Sequence, residues 1–270
     1  MKRFLALALV LVFAVALVGC GTSAPAPVEE TANTATDSDL AYVTDKGTLV
    51  IGYTIYEPMN FKDANGELTG FDTEFAIAVC EKLGVAPEFV EIDWDNKFLE
   101  LSAKSIDCIW NGMTISEEVK KNTNVSNAYV KNAQVVVMNA DKGKEYTDVE
   151  SMKDLKFAAE AGSAGETAIK ENGLDKNYTA VAAQTDALLE VMSGASDACV
   201  IDITMAKAMT GEGTSYEKLG EVLELTSEEY GIGFRKDSDL TAKVNSIIDE
   251  LTADGTLAEL AEKYSLTLAE

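Results

Sequence analysis

From residue 48 onward, short apolar runs alternate with stretches that are apolar on one face only. Thr48-Leu49-Val50-Ile51 has the length and aliphatic content of a buried strand. Residues 72–83 carry Phe75, Val79 and Leu83 at helical spacing, with Asp72 as the expected N-cap and Gly84 as the stop. Between them, 53–59 reads as a loop stiffened by Pro58, and Asn65-Gly66 within 62–68 predicts a tight hairpin. The pattern then repeats as a strand over 88–92, a helix over 95–105 and a strand over 106–110. That last strand runs into Asn111-Gly112-Met113-Thr114 and a helix that opens at Ser116. Alternation of this kind predicts an α/β protein with mostly parallel sheets covered by helices.

A second series follows: strands over 134–138, 157–160, 178–181 and 198–201, separated by helices from 165 and over 185–193. In both series a helix precedes a related strand, Asp107-Cys108-Ile109 or Asp197-Ala198-Cys199-Val200, and a loop and helix follow it. This weak internal symmetry predicts two similar lobes. A strand over 230–234 and helices over 239–254 and 257–264 complete the pattern. We expect lobe 1 to comprise 40–132 and 229–270, and lobe 2 to comprise 133–228. Two lobes joined by two crossings leave a cleft, the usual place for a ligand. The strand-loop-helix junction at 104–120 offers free backbone N–H groups to a small polar molecule, and it contains no nucleophile–base pair, so it reads as recognition rather than turnover.

The N-terminus reads differently. Lys2-Arg3 precedes an apolar run from Phe4 to Val18, which is short for a membrane span and right for a signal peptide over 1–19. Leu17-Val18-Gly19-Cys20 resembles the lipobox of bacterial lipoproteins, which implies lipidation at Cys20, a membrane anchor and an extracytoplasmic location. Residues 20–39 are rich in Thr, Ala, Pro, Ser and acid, the composition of a disordered tether. The formal net charge of −24 makes nucleic acid an unsuitable partner, and the absence of His removes the commonest general base and metal ligand. Cys80, Cys108 and Cys199 sit in apolar patterns without metal-site spacing and read as buried small hydrophobes. No cofactor, no metal and no partner copy is expected.

The stretches 47–79, 106–116, 159–166, 230–240 and 251–264, with Asp202 after Ala198-Cys199-Val200-Ile201, resemble the substrate-binding proteins of ABC-type polar amino-acid importers, over about residues 40–266. The resemblance implies a two-lobed, hinge-closing fold of the periplasmic-binding-protein type (type II), and an ABC permease as partner. It implies that Tyr56 and Trp94 sandwich the ligand, and that Asn111, Gly112, Met113 and Thr114 receive its polar head. It further implies that Glu160 faces the ligand side chain, that Gly162, Ser163 and Ala164 offer N–H groups to a carboxylate, and that Asp202 accepts the α-ammonium.

One position departs from the pattern. Val119 stands where the family usually has an arginine that pairs with the ligand carboxylate, and Lys120, one position on, projects about 100° around the helix. The ligand is therefore left open between an amino acid and a small amine. Two alternatives to a transport role also stay open: an enzyme on the same fold, resembling cyclohexadienyl dehydratases, with Glu160 as its acid, and a ligand-sensing domain.

Overall fold

The computed structural model describes residues 38–270. Two five-stranded sheets organise them. In the first, the strand order is Ala86–Glu91, Thr48–Tyr53, Cys108–Ile109, Gly233–Phe234, Asn124–Val125. The first three are parallel, and Gly233–Phe234 runs antiparallel to both of its neighbours. In the second, the order is Tyr178–Val181, Phe157–Glu160, Ala198–Asp202, Gln134–Asn139, Leu219–Glu224. Again three parallel strands meet an antiparallel one. The repeated topology is the physical content of the sequence symmetry. The interior strands are apolar on both faces because helices cover both; Val135, Val136, Val137 and Met138 are all buried, as are Ala198, Cys199, Val200 and Ile201.

The chain leaves the first sheet through Val130–Asn132 and returns to it through Glu228–Tyr230. These two segments pair antiparallel, with Asn132 opposite Glu228 and Val130 opposite Tyr230. The final helices, Leu240–Ala253 and Thr256–Lys263, pack on each other and on Phe71–Leu83. Cys80, Cys108 and Cys199 are buried free thiols, as expected from their apolar surroundings.

Several local expectations are corrected. The tether does not extend to Asp39: Ser38 caps a helix, Asp39–Lys46, by accepting from Ala41 N at 2.9 Å, and Asp39 is buried against Arg235. The expected signal peptide, Cys20 and the rest of the expected tether lie outside the described residues. Asp72 is not an N-cap. Gly70 takes that position, and Asp72 falls in the first turn with its carboxylate turned inward, accepting from Gly112 N at 2.6 Å and Tyr129 Oη at 3.0 Å. The helix expected over 95–105 is a 3-10 turn, Trp94–Asn96, followed by Lys97–Ser102, because the Asp93 carboxylate accepts from Asp95 N and sets the tighter turn. The strand expected over 106–110 is only Cys108–Ile109. Its neighbour Asp107 instead gives its carboxylate to Lys46, Val50 N and Arg235. In the 62–68 hairpin only Gly66 takes the left-handed conformation; Asp63, accepting from Asn65 N and Glu67 N, closes the rest of the turn.

Candidate functional site

Strand ends and helix starts from both sheets converge on a cavity of about 420 Å³. That is within the range of small-ligand sites, roughly 300–1,000 Å³. Ten of the eleven expected site residues line it: Trp94, Asn111, Gly112, Met113, Thr114, Glu160, Gly162, Ser163, Ala164 and Asp202. Tyr56 does not. Its ring is buried behind Gly112, and its hydroxyl bonds to Thr204 and Tyr230, so the expected aromatic sandwich reduces to Trp94.

The loop after Cys108–Ile109 is held from below. The Asn111 amide donates to Thr54 O and Asn60 Oδ1, and its oxygen accepts from Thr54 N and Oγ1. Gly112, at φ +54, gives its N–H to Asp72, so this group faces the protein and not the cavity. A Cβ there would come within 2.6 Å of the Tyr56 ring, so the close approach requires glycine. The N–H groups of Met113 and Thr114, in contrast, take no partner among the described residues. Val119 is buried beside them, in one apolar cluster with Trp94 and Met113.

Across the cavity, Phe157–Glu160 leads into a helix start capped by its own side chains. Ser163 Oγ accepts from Glu166 N at 3.1 Å, and Glu166 Oε2 reaches back to Gly162 N at 2.8 Å. Ser163 and Gly162 are thus occupied with helix capping. Ala164 N, at the start of Ala164–Glu171, is left unpaired among the described residues. Glu160 is buried and its Oε1 has no partner among the described residues. Burial, and then the negative charge of Asp202, push its carboxyl up to about 8, with Lys97 pulling the other way.

Asp202 begins the helix Ile203–Met209 but does not cap it with its side chain. Its carboxylate accepts from the amides of Asn132, Gln134 and Gln184, and its own N–H donates to Gln184 Oε1 at 2.9 Å. Asn132 and Gln134 each also donate to Glu228 Oε1, at 2.7 Å, as does the Thr114 hydroxyl. Burial, followed by repulsion from Glu228, raises the Asp202 carboxyl above its ordinary range.

Gln184, Glu228 and Lys97 are among the lining residues that escaped the sequence reading. Six acids line the cavity, namely Glu117, Glu118, Glu160, Glu171, Asp202 and Glu228, and Lys97 is the only cation among its described lining residues. A cavity with this charge attracts the positive part of a ligand.

A cleft cavity set between two α/β lobes, walled by one aromatic ring, unpaired backbone N–H groups and buried carboxylates, defines a two-lobed binding protein for small polar solutes. The model of the bacterial extracellular solute-binding proteins, family 3, matches residues 49–267, and the chain belongs to that family. Among curated relatives, the L-cystine-binding protein TcyJ of Escherichia coli (strain K12) is 31% identical over 82% of this chain and 84% of its own length. Among solved structures, the arginine-bound form of truncated ArgBP from T. maritima is 32% identical with a TM-score of 0.72, over 78% of this chain and 99% of that one. The ancestral amino-acid-binding protein AncCDT-1, a precursor of cyclohexadienyl dehydratase, is 33% identical with a TM-score of 0.77, over 84% and 99%.

Proposed function

We propose that the protein captures an α-amino acid in this cavity and delivers it to the permease of an ABC importer. The observation that carries the reading is Asp202: a buried carboxylate that lines the cavity, is not spent on capping its helix, and shares its amide donors with a second acid, Glu228. Such a pair favours an ammonium, which neutralises charge that burial has made costly. The unpaired N–H groups of Met113, Thr114 and Ala164 then receive the carboxylate in place of the arginine absent at Val119. Trp94 contacts the side chain, and Glu160 faces it. The amino-acid-binding relatives support the same ligand class.

In this reading, lobe 1 (40–132 and 229–270) and lobe 2 (133–228) close on the ligand by rotation about the paired segments 130–132 and 228–230. Lipidation of Cys20, supported by the sequence 17–20, would hold the protein at the outer face of the cell membrane as a monomer. Calorimetric titration with the amino acids, small amines and dipeptides tests the ligand class. Small-angle scattering with and without ligand tests closure, and intact mass of membrane-extracted protein tests lipidation.

One observation favours a second reading. Glu160 is a buried acid pushed up to about 8, the state a general acid needs, and AncCDT-1 is a precursor of an enzyme. Product formation from prephenate would establish it. Retention of prephenate unchanged leaves the transport reading.

A further inference from the structure

Lys97 is the first residue of Lys97–Ser102 and is itself buried. Its ammonium is anchored four ways. It donates to Trp94 O at 3.1 Å and to Gly162 O at 2.8 Å, and it lies 5.0 Å from the centre of the Trp94 ring and 4.8 Å from that of Phe98. The contact with Gly162 joins the elements of the first sheet to those of the second.

An ammonium has three N–H donors and no acceptor, and two of the three are used here. Glu160, two residues before Gly162, presents the opposite need: a buried Oε1 without a partner among the described residues. Both residues line the one cavity. It therefore holds a spare ammonium donor and an unpaired carboxyl oxygen.

The anchoring also decides what is refused. A ligand guanidinium or ammonium stacked on Trp94 would find that ring already facing a cation, and the carbonyls of Trp94 and Gly162 already accepting from it. It would be brought against a like charge that is itself buried. A group that both accepts and donates meets no such conflict. A carboxamide does so through its oxygen and NH₂, and a second α-amino-acid head does so through its carboxylate and ammonium.

We propose that Lys97 sets the specificity of the cavity: with Glu160 it takes a ligand whose far end carries both an acceptor and a donor, a carboxamide or a second amino-acid head, and it turns away a lone cationic side chain. The proposal rests on the amino-acid reading above and departs from the arginine-bound relative.

Isothermal titration of the wild type and of Lys97→Met with L-glutamine, L-cystine, L-arginine and L-lysine tests it. The wild type is expected to bind glutamine or cystine at least about tenfold more tightly than arginine or lysine. The preferred one of the two separates the carboxamide from the second head. Lys97→Met is expected to gain about tenfold for arginine and to lose at least as much for the wild-type ligand. A wild type that prefers arginine or lysine overturns the proposal, as does a folded variant with an unchanged order. If the variant does not fold, the wild-type order decides alone. A wild type that binds no amino acid overturns the amino-acid reading and this proposal with it, an outcome distinct from binding in the wrong order.

Discussion

Asp202 and Glu228 share two amide donors. Asn132 and Gln134 each donate to both carboxylates, with the two bonds to Glu228 Oε1 at 2.7 Å. Glu228 and Asn132 are opposite each other in the paired segments that link the two sheets. The acid read as the ammonium acceptor is therefore fixed directly to the crossing about which closure is proposed. Charge brought to Asp202 is felt there.

The buried acids make the unliganded protein sensitive to pH. Asp72 is pushed up to about 7 and Glu160 to about 8, from ordinary values of 3.8 and 4.5, chiefly by burial. The native state thus holds protons that the unfolded chain has released, and stability falls as pH rises from about 4.5 to about 8. Calorimetric melting should give a lower Tm at pH 8 than at pH 5, with a smaller difference in Glu160→Gln. A Tm that rises with pH, or a Glu160→Gln variant with an undiminished difference, contradicts this account.

Gly112 combines a positive φ with a contact that leaves no room for a Cβ, 2.6 Å from Tyr56 and 3.1 Å from Tyr230. Gly112→Ala should cost at least about 1–2 kcal/mol from the left-handed backbone alone. It should also weaken ligand binding, because the loop carrying Met113 and Thr114 must move. Urea unfolding together with titration checks both effects; a variant of wild-type stability would show that the loop yields freely.

Arg235 ties the N-terminal helix to the first sheet. Its Nε donates to both oxygens of Asp39 at 3.0 Å, Nη1 to Ile106 O at 2.8 Å and Nη2 to Asp107 Oδ1 at 3.2 Å. Arg235→Leu would leave Asp39 buried and unpaired and Asp107 with Lys46 and the Val50 N–H. The expected loss is about 3–5 kcal/mol of unfolding free energy. Arg235→Lys should recover only part of it, since an ammonium cannot span three acceptors in one plane. Denaturant midpoints that match the wild type would remove this pair from the account.

Much of this was legible in the sequence because it depends on periodicity. The buried strands, the helix faces carrying Phe75 and Val79, and the repeated series all follow from local apolar spacing. So does the meeting of the turn after Glu160 with Asp202, since parallel strands of one doubly covered sheet end on one side. What was not legible depends on where a side chain turns after the backbone is placed. Lys97, three residues after Trp94, lies inside the helix expected over 95–105 with no local pattern to mark it, and its ammonium lies over the Trp94 and Phe98 rings behind the 3-10 turn Trp94–Asn96. Tyr56 reads as a cleft aromatic, but its hydroxyl finds Thr204 and Tyr230 in the core. Glu228 and Gln184 come from the return crossing and from a helix of the second series, and no local pattern marks them.

Val119 separates two ligand chemistries. It is buried, lines the cavity and packs with Trp94 and Met113. If the ligand carries an α-carboxylate, Val119→Arg restores a bidentate partner at a buried position, and affinity should rise by about tenfold or more. A loss of affinity, measured on a variant with a wild-type melting profile, would point to an amine without a carboxylate.

The most direct test is a calorimetric titration of wild type and Asp202→Asn with the amino acids. The account predicts a single site in the wild type. It predicts that Asp202→Asn, with its fold verified by circular dichroism, loses about 2–5 kcal/mol of binding free energy, because the ligand ammonium is left buried without its counter-charge. Failure of every amino acid to bind the wild type, or a change of less than about threefold in the dissociation constant of the variant, would contradict it.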